Sequence, residues 1–280
     1  MKKLIALILS AALCVTMAFT FTSCGSSGTE GTDTRATLSI GLECVYPPFN
    51  WTQLDASNGA VKIDGSSGYV NGYDIKVAKY IADALDRKLV VKKYVWEGLV
   101  GGITSGAIDM IVAGMSPTAE RKETIDFSDA YYTSELVIVV RKDGAYASAK
   151  TLNDFSGAKI VAQQGTFHAK AVLQIPGLIE QTPMKDFSTM MVALNAKAVD
   201  GYVAEKPGAI ANCNANSDFT YIDLVNNDTG FTVSDEDVTI AVGLQKNSAL
   251  REQINSILSG LTQEMRDNLM KNAINQQPKA

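Results

Sequence analysis

The sequence predicts an α/β protein of two lobes, each built on an open sheet, with a cleft between them. Three observations carry that expectation. Short apolar runs of strand length alternate with stretches of helical period along most of the chain. At 280 residues and 46% hydrophobic content, the chain can bury more than one core. Finally, residues 103–113, ITSGAIDMIVA, are echoed 91 positions later by LNAKAVDGYVA at 194–204. Ala107/Ala198, Asp109/Asp200, Val112/Val203 and Ala113/Ala204 are identical. Four identities in eleven are statistically thin, and their weight comes from both copies reading as one helix–turn–strand unit.

Taken in order, Met1-Lys2-Lys3 is a short basic start and 4–21 an apolar run, closed by Phe21-Thr22-Ser23-Cys24. About 18 apolar residues would nearly span a bilayer, but no basic stop-transfer cluster follows, so 1–23 reads as an export signal. Residues 24–35, with GSSGTEGTDT at their centre, lack apolar periodicity and read as a flexible tether. Residues 38–42 alternate as a strand. Helical period over 73–88 puts Ile75, Ala78, Ile81, Ala82 and Leu85 on one face. A strand over 90–95, a helix over 99–104 and a short apolar strand over 109–113 complete the first unit. Residues 52–71, rich in Gly, Ser and Asp, are expected as an extended hairpin or surface loop. In the second half, 136–140, 160–162 and 200–204 read as strands and 190–196 as a helix.

Composition excludes several classes. Losing Lys2 and Lys3 with the signal leaves 23 basic against 30 acidic residues, a net charge of −7, which argues against nucleic acid as a partner. Cys44 and Cys213 are far apart with no metal-ligand pattern, and the single histidine, His168, cannot build a zinc site, so no metal or cofactor is expected. A disulfide between them is open to an exported protein, though the spacing does not call for one. His168 is expected to face solvent.

The strand ends carry the chemistry, because ligands of open α/β sheets bind outside the carboxyl ends of the strands. Past the first copy come Gly114, Met115, Ser116 and then Arg121, whose planar fork matches a carboxylate, with exposed backbone N–H groups and the Ser116 hydroxyl as further donors. Read alone, Glu120-Arg121-Lys122-Glu123 is equally an ordinary charged surface helix. Past the second copy comes Glu205, able to hold an ammonium. Together the two describe a trap for a zwitterion. Tyr46, after the first strand, and Trp96, after another, supply walls for a side chain; Phe49 is expected as a core cap. Gln163, Gln164, Gly165 and Thr166 can offer backbone N–H groups at a glycine-opened helix start. Glu43, three residues before Tyr46, favours a cationic ligand side chain if it points into the cleft; if it caps its turn, a neutral polar one such as glutamine fits equally.

Several of these segments, in this order, resemble the extracytoplasmic solute-binding proteins of polar amino-acid ABC importers (bacterial solute-binding protein family 3). They are Tyr46-Pro47-Pro48-Phe49, Gly72-Tyr73-Asp74, residues 96–113, the run from Gly114 to Arg121, Asp126-Phe127-Ser128, Gln164-Gly165-Thr166 and residues 200–207. The resemblance covers essentially all of 36–277. It implies a type II periplasmic-binding-protein-like fold, two open α/β sheets joined by a two-strand hinge, with crossings near 132–135 and 235–239. Lobe 1 is then 36–132 with 240–280, and lobe 2 is 136–236. It also implies Arg121 as carboxylate clamp, assisted by Ser116 and Thr166 through backbone and hydroxyl groups. Gly114 is then a carbonyl acceptor for the α-ammonium, Glu205 its ionic partner, and Tyr46 and Trp96 the side-chain walls. Pro117 departs from the β-branched residue common there, and 52–71 is longer than in many members. The start of the chain resembles a bacterial lipoprotein signal with Cys24 as the lipidated residue, though Phe21 stands where that pattern favours Leu; Cys14, after bulky Leu13, fits less well.

The expected function is capture of a free amino acid outside the cytoplasmic membrane, basic ahead of neutral polar, and its delivery by lobe closure to an ABC permease. The protein is expected as a monomer, lipid-anchored at Cys24, and not as an enzyme. Two alternatives remain open at this point: a dehydratase-type enzyme on the same fold with Glu205 or Glu43 as general acid or base, and a ligand-sensing lipoprotein for a partner receptor.

Overall fold

A computed structural model of the chain describes residues 33–224 and 230–278. The expected signal, Cys24 and the tether up to residue 32 lie outside them.

The first lobe is built on a five-stranded sheet in the order Lys88–Lys93, Thr37–Leu42, Met110–Ile111, Thr239–Leu244, Asp126–Thr133. Its first three strands are parallel, and Thr239–Leu244 runs antiparallel to both neighbours. The second lobe has a four-stranded sheet in the order Ile160–Val161, Gly201–Glu205, Leu136–Arg141, Phe219–Asp223. The strand Leu136–Arg141 is apolar without alternation because both of its faces are covered. Val137 and Val139 join one core cluster, and Leu136, Ile138 and Val140 the other.

The chain crosses between the lobes along two adjacent strands. It leaves the first sheet at Thr133 and enters the second at Leu136, and it returns into Thr239–Leu244. Ser134 N donates to Val238 O at 2.9 Å, so the two crossings are hydrogen-bonded to one another.

The internal repeat has a physical basis. The helices Leu99–Thr104 and Phe187–Asn195 both close through a left-handed residue, Gly106 at φ 74° and Lys197 at φ 60°. In each, the N–H of the following alanine reaches back to a carbonyl five residues earlier, Ala107 to Gly102 and Ala198 to Ala193, both at 3.0 Å. An aspartate then fastens the incoming strand to its neighbour. Asp109 Oδ2 accepts from Ser39 N at 2.7 Å, and Asp200 Oδ2 accepts from Lys159 N at 2.9 Å. The shared Ala and Asp are thus a cap and a strand anchor, used once in each lobe.

Several boundaries differ from those expected. The helix over 73–88 stops at Ala84, because Asp86 takes φ 50° and the strand begins at Lys88, in register with Thr37. Only Met110–Ile111 of the 109–113 run is paired, since the chain must turn away at Gly114. Parts of 52–71 fold into a small antiparallel sheet with residues 45–51, in the order Val45–Tyr46, Asn50–Gln53, Tyr69–Asn71, Val61–Lys62. Ile63 bridges to Val91, so this sheet covers the free edge of the first lobe. The C-terminal helix Gln263–Gln276 packs against Tyr73–Ala84 in the first lobe and also against Lys206–Ala215 in the second. Gln277 Nε2 donates to Ala211 O at 2.6 Å in that second contact.

Candidate functional site

Both copies of the repeat deliver their ends to one small cavity of about 10 Å³ between the lobes. Of the residues expected there, Tyr46, Trp96, Gly114, Ser116, Arg121, Thr166 and Glu205 line it. Gln163, from the segment expected to offer backbone N–H groups, lines it too, as do Phe167, His168 and Phe187, which were not expected there. Glu43, Met115 and Gln164 stand outside its wall. Glu43 is covered by the amide of Gln163. Met115 is buried in the first-lobe core, and exposed Gln164 uses its N–H on Met184 O at 2.8 Å.

Arg121 sits in the helix Ala119–Thr124, whose first turn is capped by the Thr118 hydroxyl. Its Nη1 donates to Ser116 O at 2.8 Å, its Nη2 to Gly165 O of the other lobe at 3.1 Å, and its guanidinium lies 5.0 Å from the Trp96 ring centre. Trp96 Nε1 donates to the same Gly165 carbonyl at 3.2 Å. Burial lowers the Arg121 pKa to about 10, so the group remains a cation at neutral pH. The hydroxyls of Ser116 and Thr166 do not point their protons at the cavity as expected. Ser116 Oγ donates to Asp237 O at 2.6 Å and Thr166 Oγ1 to Gln163 O at 2.7 Å.

Gly114 takes φ 63°, and a Cβ there would approach the Tyr46 ring to 3.1 Å, so glycine suits both the turn and the contact. Its N–H donates to Tyr131 Oη at 3.1 Å. Tyr131 in turn donates to Asp74 Oδ1 at 2.6 Å, and Asn50 Nδ2 donates to Asp74 Oδ2 at 2.8 Å. Asp74 is fully buried, which pushes its carboxyl up to about 6. The Gly72-Tyr73-Asp74 motif therefore braces the cavity from behind rather than lining it. Gly72 is required because a Cβ would lie 2.2 Å from Phe49 O.

Glu43 does not cap its own turn. Both its oxygens accept from Gln163 Nε2 of the second lobe, at 3.1 and 3.2 Å, and burial pushes its carboxyl up to about 7.

Glu205, which lines the same cavity, is the last residue of its strand and is followed by Pro207 in the first turn of Lys206–Ala215. It accepts the Tyr46 hydroxyl on Oε2, and its Oε1 lies 3.1 Å from His168 Nε2. Burial pushes the Glu205 carboxyl up to about 8. His168 is 2% exposed, which overturns its expected solvent-facing place. Its helix, His168–Ala171, is a single turn, too short to show a face by periodicity. Burial, with the charge of Arg121, pushes the imidazole down to about 3. Tyr46 is not an open wall either. Phe49 stacks on its ring at 5.0 Å and Phe187 at 4.2 Å, and its hydroxyl is donated to Glu205.

Among the described residues no three His, Cys, Asp or Glu side chains are grouped to hold a metal ion, and no helix is long and apolar enough to cross a membrane. Cys44 and Cys213 are free thiols.

Known proteins resemble the chain along nearly its whole length. The profile of bacterial extracellular solute-binding proteins, family 3, matches residues 38–274. The arginine-binding extracellular protein ArtP of Bacillus subtilis (strain 168) is 27% identical over 273 residues, 96% of this chain and 94% of its own. The ABC transporter glutamine-binding protein GlnH of the same organism is 26% identical over 289 residues, 99% of each chain. An amino acid ABC transporter substrate-binding protein from Streptococcus pneumoniae, solved bound to L-arginine, superposes with a TM-score of 0.73 at 27% identity, over 86% of this chain and 94% of the other.

Proposed function

The chain belongs to the bacterial extracellular solute-binding proteins of family 3, with their type II two-lobed α/β fold, and we propose that it captures a free basic amino acid. The observation that supports this most is that Arg121 and Glu205, from different lobes, meet at one small cavity. A ligand carrying both a carboxylate and an ammonium satisfies the two together. An analogue without the carboxylate leaves the buried Arg121 cation without an anion, at a cost of several kcal/mol. Such a zwitterion binds the closed arrangement preferentially and shifts the population towards it. The lobes that close are 36–132 with 240–280, and 136–236.

Glu43 supports a basic ligand ahead of glutamine. It is a buried carboxyl, held by a neutral amide alone, on the far side of Gln163 from the cavity. A cationic side chain that displaces the amide gains an ion pair there. The matched proteins named for binding arginine are consistent with this, and the glutamine-binding one marks the competing specificity. The protein acts outside the cytoplasmic membrane as a monomer, tethered by lipid at Cys24, and hands its ligand to an ABC permease without altering it. Glu205 and Glu43 serve as charge partners of a bound ligand and not as acid or base.

Calorimetric titration with the twenty common amino acids tests this. Arginine or lysine is expected to bind with a Kd near micromolar, about 8 kcal/mol, more tightly than glutamine, and Glu43→Gln is expected to reverse that order. A variant that kept full preference for the basic amino acid would remove Glu43 from the specificity. Absence of heat across the panel would overturn the reading, as would conversion of the ligand on incubation.

A further inference from the structure

The amino-group end of the cleft holds a contact that the zwitterion reading leaves unused. His168 Nε2 lies 3.1 Å from Glu205 Oε1, with both residues almost wholly buried. Neither ring nitrogen of His168 has an aligned hydrogen-bond partner. Facing this pair are the Tyr46 hydroxyl, from Val45–Tyr46, and the charge of Arg121, from Ala119–Thr124. The rings of Phe167 and Phe187 pack edge-on to His168. A bare carboxylate beside a neutral imidazole is a net negative charge out of water, and burying such an ion costs several kcal/mol. One added proton, on either Oε1 or Nε2, brings the pair to zero net charge.

We propose that His168 is a further determinant of ligand binding at this end of the cleft: with Glu205 it holds one proton, and the ammonium of the incoming amino acid takes that proton's place. The inference rests on the amino-acid reading of the cleft. The exchange balances simply. The ligand keeps its three N–H bonds, Glu205 becomes the carboxylate that faces them, His168 is left neutral with one N–H, and the displaced proton goes to solvent. The directions in which burial moves the two groups agree, since the carboxyl is raised to about 8 and the imidazole lowered to about 3. His168 then presents no competing cation to the ammonium. Release of one proton per ligand means that affinity falls about tenfold when the pH is lowered from 7 to 6.

The test is calorimetric titration of L-arginine into the protein at pH 7 in phosphate and in Tris, whose different ionisation heats report the number of protons released. Glu43 adds a proton of its own when the ligand side chain is cationic, so the titration is repeated with Glu43→Gln, where about one proton remains. In the Glu43→Gln background, Glu205→Gln takes the release to zero. In the same background His168→Asn removes the basic nitrogen, moves the pH dependence lower and brings the release at pH 7 well below one. Binding heat without buffer dependence, in both wild type and Glu43→Gln, overturns the proton exchange while leaving the amino-acid reading in place. Equal release from Glu43→Gln with and without His168→Asn assigns the proton to Glu205 alone and overturns the role of His168. No heat with L-arginine or L-glutamine removes both readings together. Should His168→Asn not fold, the Kd of Glu43→Gln at pH 6 and pH 7 decides: a tenfold difference supports the exchange, and no difference overturns it.

Discussion

The two copies of the helix–turn–strand unit are built alike and end differently. Each closes its helix on a left-handed residue and pins its strand with an aspartate. Past the strand, the first copy runs into Gly114, Ser116 and the helix that carries Arg121, while the second ends on Glu205. One scaffold thus brings a cation to one side of the cavity and a carboxyl to the other. The repeat governs placement, and the few residues beyond it govern chemistry. A substitution inside the unit should therefore act on stability, and one just past it on binding.

The largest effect is expected from Arg121→Ala. Removing one partner of a buried, hydrogen-bonded charge pair costs about 2–5 kcal/mol, so L-arginine should bind at least thirtyfold more weakly. The sharper measurement uses agmatine, which lacks the carboxylate. Wild type should discriminate strongly between the two ligands and the variant hardly at all. Undiminished discrimination would place the carboxylate elsewhere and break the contrast between the two strand ends.

Inside the repeat, the aspartates should differ in degree. Asp109 Oδ2 takes both the N–H and the hydroxyl of Ser39, each at 2.7 Å, in a half-buried setting. Asp200 takes one backbone N–H at a more exposed place. Loss of buried hydrogen bonds suggests about 2 kcal/mol for Asp109→Ala and about 1 kcal/mol for Asp200→Ala, read by urea unfolding. Neither should change the ligand preference of the folded protein.

That division explains what was legible in the sequence. The expected 99–104 helix is observed as Leu99–Thr104, and the strands expected over 38–42, 136–140 and 200–204 lie within one residue of those observed. Their apolar patterns are local and their neighbours cover both sides. Less legible were features set by distant partners. The strand Lys88–Lys93 starts early because Thr37 sets its register, and Met110–Ile111 is cut short by the turn at Gly114. In the site, charged residues at strand ends could be read from chain position. Phe187 could not, since only folding lays it on the face of Tyr46. His168 could not either, because Phe187 and Glu205, which pack on it, are distant in sequence and its one-turn helix shows no pattern.

The site also leaves a signature in the pH dependence of stability. Glu205 and Glu43 titrate at about 8 and about 7 in the folded protein, above the roughly 4.3 of an unfolded glutamate. Over that interval the folded chain binds more protons than the unfolded one, so stability rises as the pH falls. His168, lowered from 6.5 to about 3, acts in the opposite sense below pH 6.5. Between about pH 8 and 6.5 the carboxyls should therefore dominate, each worth on the order of 1 kcal/mol per pH unit titrated. The protein without ligand should melt at a higher temperature at pH 6.5 than at pH 8.5, and Glu205→Gln should flatten the trend. A melting temperature that fell on acidification through this window would mean that the carboxyls are ionised in the fold.

The smallest effect, and the finest test of the likeness between the copies, lies at their caps. Gly106 and Lys197 occupy the same left-handed position, but only glycine does so without strain from its Cβ. No atom lies within 4 Å of a Cβ built on Gly106, so Gly106→Ala should cost about 1 kcal/mol through backbone conformation alone. Lys197→Gly should return a similar amount. It also removes an exposed ion pair to Asp143, which is screened by solvent and contributes little. Opposite signs of similar size, measured by thermal unfolding with ligand affinity unchanged, would show that the two units share a cap whose strain was relieved in one copy only. A loss of stability in Lys197→Gly would mean that the lysine side chain contributes to the second lobe in a way the first copy has no counterpart for.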